Sequence, residues 1–150
     1  PRKSEADNLQ KWNQLINLLI KHQRWLEAIT TLKNVQRITD QTQDAERPNY
    51  TEALGSIYIK TQDYFQAIEI YQQLVKIKPN YSDYHHILGI AYLATEDYIS
   101  AIDYFQIAIL LKPNQPNYYL DLAHAYQKIG NTPKANLANH KYQTLTNTID

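Results

Sequence analysis

The sequence predicts an all-α protein built of stacked, antiparallel helix pairs, and three observations predict it. Displacing the chain on itself by about 34 residues superposes Tyr50, Tyr84 and Tyr118, and with them Tyr58, Tyr92 and Tyr126. Within each unit the apolar side chains recur three and four residues apart, which places them on one face of a helix. Only 3 glycines occur in 150 residues, far from the composition of a turn-rich β protein.

Four units follow from the self-match. The first runs Leu9–Thr42, the second Pro48–Tyr81, the third Ser82–Gln115 and the fourth Pro116–Ile149. Ala67, Ala101 and Ala135 align, as do Leu54, Leu88 and Leu122; Lys78-Pro79-Asn80 returns as Lys112-Pro113-Asn114. Trp12, Leu15, Leu19, Ala28, Leu32 and Val35 repeat the internal spacing of one unit, displaced by an insertion that falls within residues 40–47. In the third unit Ile87, Leu88, Ala91 and Tyr92 mark a first helix, and Ala101, Ile102, Phe105, Ala108 and Ile109 a second. Small residues at Gly89 and Ala101 allow two helix backbones to approach closely. Asp63 and Asp97 stand where a carboxylate caps the following helix. Pro79 and Pro113 end the second helices, because proline lacks the N–H that a continuing helix needs. In the last helix Ala135, Ala138, Tyr142, Leu145 and Ile149 form one stripe with polar residues elsewhere, the pattern of a terminal helix that caps its own array.

These residues resemble the tetratricopeptide repeat (TPR) family, whose pattern sets a large residue, then Leu-Gly, Tyr, Ala, an aromatic and Pro at fixed offsets. The third unit carries it most fully, as His85, Leu88, Gly89, Tyr92, Tyr98, Ala101, Phe105, Ala108 and Pro113. The second has Thr51 at the large position. The fourth has Asn139 and Asn147 in place of the aromatic and the proline, and the first has Ile16 in place of the small residue. The resemblance covers nearly the whole chain and implies one domain, residues 1–150. It further implies a right-handed superhelical α-solenoid whose concave face is lined by the first helices.

Composition narrows the function classes. The 15 Lys+Arg balance 15 Asp+Glu, which argues against nucleic acid as partner, since phosphate binding needs clustered excess cations. The absence of cysteine removes disulfides, thiolate metal sites and cysteine nucleophiles. No apolar run is long enough for a membrane span. A phosphate-binding loop, a nucleophile elbow and an H-E-x-x-H zinc motif are all missing, so the chain is expected to be no enzyme and to hold no cofactor or metal. Of the five histidines, His86 and His124 fall on neighbouring first helices near Asp83 and Asp121. A metal site there lacks any local ligand spacing, and ordinary polar surface is the expectation. Thirteen tyrosines invite a stacking role with bases. Nine of them, however, recur at fixed packing positions without adjacent Lys or Arg clusters, and a structural role is expected.

Function therefore falls to the groove. The resemblance assigns to it Asn13, Asn17 and Lys21 from the first unit and Asn49, Glu52, Ser56 and Lys60 from the second. Asp83, His86, Ile90 and Leu93 follow from the third, and Asn117, Leu120, His124, Gln127 and Lys128 from the fourth. Side chains at this register are expected to point away from the helix-packing core. Amides suit the backbone of an extended segment, and Ile90, Leu93 and Leu120 offer an apolar patch for an anchoring side chain. A clamp for a chaperone C-terminal carboxylate is not expected, because Asp83 and Ile87 occupy positions where that clamp requires a cation. The reading is an adaptor or assembly module that binds a segment of another protein. The alternatives are a self-associating scaffold, with homo-oligomers, and the regulatory domain of a larger enzyme. The compartment is open: a cytoplasmic soluble domain by default, of bacterial or organellar composition, with room for a signal or anchor before a chain that lacks an initiating Met.

Overall fold

The computed structural model describes residues 2–40 and 50–147. Among them are eight α-helices and no strand: α1 (Arg2–Lys21), α2 (Trp25–Asp40), α3 (Tyr50–Lys60), α4 (Tyr64–Ile77), α5 (Ser82–Ala94), α6 (Tyr98–Leu111), α7 (Pro116–Lys128) and α8 (Thr132–Asn147). The expected all-α architecture of helix pairs is the one observed. The expected insertion, most of Asn49's segment and Ile149 lie outside the described residues. The chain divides into two compact units, Pro1–Thr61 and Gln62–Asp150, each described by itself.

In the first unit α1 and α2 form a hairpin, and α3 packs on α2. Ile16, Leu19, Ala28, Leu32 and Val35 are buried, and Ile16 occupies the position that the repeat reserves for a small residue. Helix α1 begins at Arg2, ahead of Leu9 where the first repeat unit starts. The added segment contains Ser4-Glu5-Ala6-Asp7, with no glycine or proline to stop a helix from extending.

In the second unit α4 packs on α5, α5 and α6 form one hairpin, α6 packs on α7, and α7 and α8 form another hairpin. Ala101, Ile102, Phe105, Leu122, Ala123, Ala125, Tyr126, Ala135 and Ala138 make its C-terminal core. Gly89 meets the expectation of close approach: a Cβ built there would lie 2.4 Å from both Cδ1 and Cε1 of Phe105. The stripe on α8 is partly as expected. Ala135 and Ala138 are buried and Tyr142 and Leu145 half-buried, but Leu137 is exposed among the polar residues.

The turns that join first to second helices share one device that the sequence reading missed. Gln23, Gln62, Glu96 and Gly130 occupy equivalent positions, and all four have positive φ, at 56°, 61°, 65° and 75°. Three of these turns close with the same long-range bond, from Arg24 N to Leu19 O, Asp97 N to Tyr92 O and Asn131 N to Tyr126 O. This is the Schellman arrangement, which satisfies carbonyls left open at a helix end. The residue after it starts the next helix. Asp97 Oδ1 accepts from Ser100 N at 3.2 Å, and Asn131 Oδ1 likewise accepts from Lys134 N at 3.2 Å. The prolines act as expected: α4 and α6 stop two residues before Pro79 and Pro113.

Candidate functional site

The first helices carry both the repeat's polar framework and its candidate binding surface. The framework comes from Tyr50, Tyr84 and Tyr118, all buried near the start of their helices. In the first unit the Tyr50 hydroxyl donates to Asn13 Oδ1 at 3.0 Å, tying α3 to α1. In the second unit the Tyr118 hydroxyl repeats the bond, donating to Asp83 Oδ1 at 2.8 Å and lying 3.1 Å from Ser82 Oγ. Burial pushes both phenols above their ordinary range. For Tyr50 the bond to Asn13 opposes the shift; for Tyr118 the neighbouring Ser82 opposes it and the Asp83 carboxylate adds to it.

A second contact joins α5 to α7. His86 Nε2 stands 2.6 Å from Asp121 Oδ2, and its ring lies 4.5 Å from that of Tyr118 and 5.8 Å from that of Phe105. The carboxylate can only accept, so His86 donates from Nε2. His86 is therefore half-buried and engaged in helix packing, where a free groove side chain was expected. Ile90 and Leu93 are corrected in the same sense, being half-buried and packed against the C-terminal core. The physical reason is shared: α5 has neighbours on both sides, α6 and α4 as well as α7, and little of its circumference stays open.

The remaining positions sort by exposure. Asn17, Lys21 and Lys60 are exposed, Asn13, Glu52 and Ser56 are half-buried, and Asn49 lies outside the described residues. Lys60 Nζ sits 5.7 Å from the centre of the Trp25 ring, which makes it a packing cation as well as a surface one. Asp83, Asn117, Leu120, His124, Gln127 and Lys128 are exposed. The last five follow one another along α7 at steps of three, four, three and one residues, so they form one outward face. That face carries an amide at each end, an apolar side chain 42% exposed at Leu120, an imidazole and an ammonium. Asp121, which the groove assignment omitted, adjoins it through its bond to His86. Its partner lies 35 residues away, and only the period of the repeat could have signalled the pairing.

Chemically, this surface offers hydrogen-bond donors and acceptors around one apolar contact. Among the described residues no three His, Asp or Glu side chains converge as metal ligands would. Several tyrosine rings that invited a base-stacking role are engaged in packing: Tyr92 stacks on Tyr104 at 5.5 Å, and Tyr71 meets Tyr84 edge-on at 5.9 Å. Gln72 Nε2 donates to the Tyr92 hydroxyl at 2.8 Å, and one repeat later Gln106 Nε2 donates to that of Tyr126 at 3.0 Å.

Comparison with known families decides the affiliation. Descriptions of the "TPR repeat" and the "Tetratricopeptide repeat" match residues 55–96 and 82–115, the stretch where the pattern is fullest. Residues 55–115 of the chain carry tetratricopeptide repeats. TPR arrays are protein-interaction modules, and this one is such a module in general terms. Solved structures agree on the fold. MamA from Desulfovibrio magneticus RS-1, residue 41 to its end, superposes with a TM-score of 0.82 at 21% identity, covering 94% of this chain and 77% of that one. Another crystal structure of MamA gives 0.80 at 20% identity, covering 97% and 82%. MamA MSR-1 gives 0.76 at 22% identity, covering 88% and 73%. At such identities the likeness concerns the TPR fold alone. Curated protein sequences give no match. Among the described residues no TPR helix is long and apolar enough to cross a membrane.

Proposed function

We propose that the chain is a non-catalytic TPR adaptor or assembly module, a single four-repeat domain whose first helices hold an extended segment of another protein. The observation that carries this reading is the division of labour on α5 and α7. Asp83, His86, Tyr118 and Asp121 are joined to one another, which stiffens the surface. Asn117, Leu120, His124, Gln127 and Lys128 stay exposed beside them on one face. A preorganised surface with a few amides and one apolar anchor suits main-chain recognition with modest side-chain selectivity. A single lysine on that face, in a chain of zero formal net charge, disfavours nucleic acid as the partner.

The test is partner capture with paired variants. Replacing Asn117, Leu120 and His124 with Ala should weaken retention at least tenfold, about 1.4 kcal/mol, with an unchanged helical signal. A control variant, Leu110→Glu on the outer side of α6, should bind as the parent does. Retention by the triple variant together with loss in the control would move the interaction to the second helices, and a concentration-dependent mass would then establish self-association.

A further inference from the structure

One face of α1 differs from the same face in every later repeat. Setting Ala28 on Ala67, Ala101 and Ala135 aligns α1 with α3, α5 and α7. Leu15 then matches Leu54, Leu88 and Leu122, and Leu18 matches Ile57, Ala91 and Ala125. All of these later residues are buried, whereas Leu15 is 40% and Leu18 53% exposed. The stacking of the units accounts for the difference. Each later first helix is covered by the second helix before it, for α2 packs on α3, α4 on α5 and α6 on α7. Gln72 of α4 donates to the Tyr92 hydroxyl, and Gln106 of α6 to that of Tyr126, across two of these contacts. No second helix precedes α1 among the described residues. Leu15 and Leu18, one turn apart, thus continue the stacking interface on a face that lacks its covering helix.

The same comparison gives the chemistry of the occupant. Second helices that cover a successor present large apolar residues at matched positions, Ile68, Tyr71 and Val75 on α4 and Ile102, Phe105 and Ile109 on α6. Tyr71 meets Tyr84 of α5, and Ile102 and Phe105 share a core with Leu122 and Ala125 of α7. The last helix, α8, has Asn136, Asn139 and Gln143 there, so a second copy stacked head to tail would set amides against two leucines. A second copy paired antiparallel through α1 would bring Lys11 of each chain towards Lys21 and His22 of the other, which like charge disfavours. The face is basic: from Asn8 to Gln23 the chain has Lys11 and Lys21 and no acid, with Asp7 one turn before Lys11. Lys11 is exposed at the position of Tyr50 and Tyr118, whose hydroxyls donate to Asn13 and Asp83 on the preceding first helix. A donor at this position calls for an acceptor opposite, and an ammonium is best met by a carboxylate.

We propose that this face of α1 docks an amphipathic helix of a partner protein, apolar along one side at three- and four-residue spacing and carrying an acidic residue. The apolar side covers Leu15 and Leu18, and the carboxylate pairs with Lys11. The site shares no residue with the face of α7 and stands whether or not that face holds a segment.

The probe is an acetylated and amidated peptide with the sequence of residues 63–77, which carries Ile68, Tyr71 and Val75 together with Asp63 and Glu69. Binding is followed by NMR through the methyl groups of Leu15 and Leu18, in the 150-residue chain and in the product of the whole reading frame. Saturable shifts of both leucines are expected in each, at millimolar peptide, because an isolated helix this short must fold as it binds. Leu18→Glu should keep the helical signal and weaken binding by about tenfold or more. Lys11→Glu should weaken it about threefold. A peptide with Ile68→Asn and Tyr71→Asn, which copies α8, should not bind. Unmoved leucine resonances would overturn the proposal, as would equal binding by the Asn-substituted peptide. Binding by the 150-residue chain alone would mean that a preceding segment of the same protein covers the face. A concentration-dependent dimer that Leu18→Glu abolishes would put a second copy there. Either result defeats the proposal.

Discussion

Replacing Gly89 with Ala sets two terms of known sign against each other. Gly89 lies inside α5, where glycine is disfavoured relative to alanine by about 1 kcal/mol. Propensity alone therefore predicts that the variant is more stable. The packing predicts the opposite. The new Cβ would stand 2.4 Å from two ring carbons of Phe105 and 3.0 Å from a third, well inside van der Waals contact. Phe105 cannot swing away, because it is fully buried within the C-terminal core and its ring also meets His86. Overpacking of this kind costs about 1–3 kcal/mol, and contact with two carbons of one rigid ring belongs at the upper end. The expected net effect is a loss of roughly 2 kcal/mol, and Gly89→Leu should lose more.

Urea denaturation followed by circular dichroism reads the effect as a lowered midpoint at unchanged slope. A second substitution isolates the cause. Phe105→Leu by itself should be destabilising through the space it leaves, but in the Gly89→Ala background the same space receives the methyl group. The two losses should then be clearly less than additive, with a coupling of about 1 kcal/mol. Gly89→Ala as stable as the parent, or strict additivity in the double variant, would refute a close α5–α6 contact at this point.

Three further outcomes are expected. Tyr118→Phe should cost about 1–2 kcal/mol in urea denaturation, because it leaves Asp83 and Ser82 without their buried partner, and the loss should shrink in an Asp83→Ala background. Gly130→Ala should lose about 1 kcal/mol, since its φ of 75° suits glycine, whereas Glu96→Gly at the equivalent position should be neutral or gain a few tenths. Burial raises the phenols of Tyr50, Tyr104, Tyr118 and Tyr119, so their contribution to stability is complete below the unfolded value of about 10 and is lost as pH rises through the higher folded values. Helical signal and phenolate absorbance followed from pH 9 to 12 should show these tyrosines ionising together with unfolding, and their ionisation in an intact helical protein would contradict this.

Legibility in the sequence followed the periodicity. Gly89, the capping carboxylate of Asp97 and the stops before Pro79 and Pro113 each have a local physical meaning that one sequence suffices to read, although Asp63, at the same position as Asp97 in the preceding repeat, makes no side-chain cap bond to α4. The left-handed turn residues were hidden for the opposite reason. Three of the four are Gln or Glu, which carry no signal for positive φ, and only Gly130 does. The candidate surface was legible as a register but not as an environment. His86 and Ile90 occupy outward positions by count, yet their exposure depends on neighbours 15 to 35 residues away, which periodicity alone does not weigh.

The contrast between recessed and outward positions is itself an argument about where specificity resides. At the tyrosine position the chain uses one residue three times, Tyr50, Tyr84 and Tyr118, and in the two bonds described the hydroxyl reaches a polar side chain on the preceding first helix. A position that must meet a neighbouring repeat is held to one chemistry by that neighbour. Two residues further along the same helices the chain places Glu52, His86 and Leu120, and four residues beyond those Ser56, Ile90 and His124. An acid, an imidazole and an aliphatic side chain share no chemistry at one register, and although His86 and Ile90 are drawn into packing on α5, Leu120 and His124 stay exposed on α7. Substitutions at the first set should thus move stability wherever they are made, as Tyr118→Phe tests. Those at Leu120 and His124 should leave the melting temperature nearly unchanged while altering which segment is held. Equal effects of both sets on stability would mean that the first-helix face is packing surface throughout, and binding would have to be sought on the second helices.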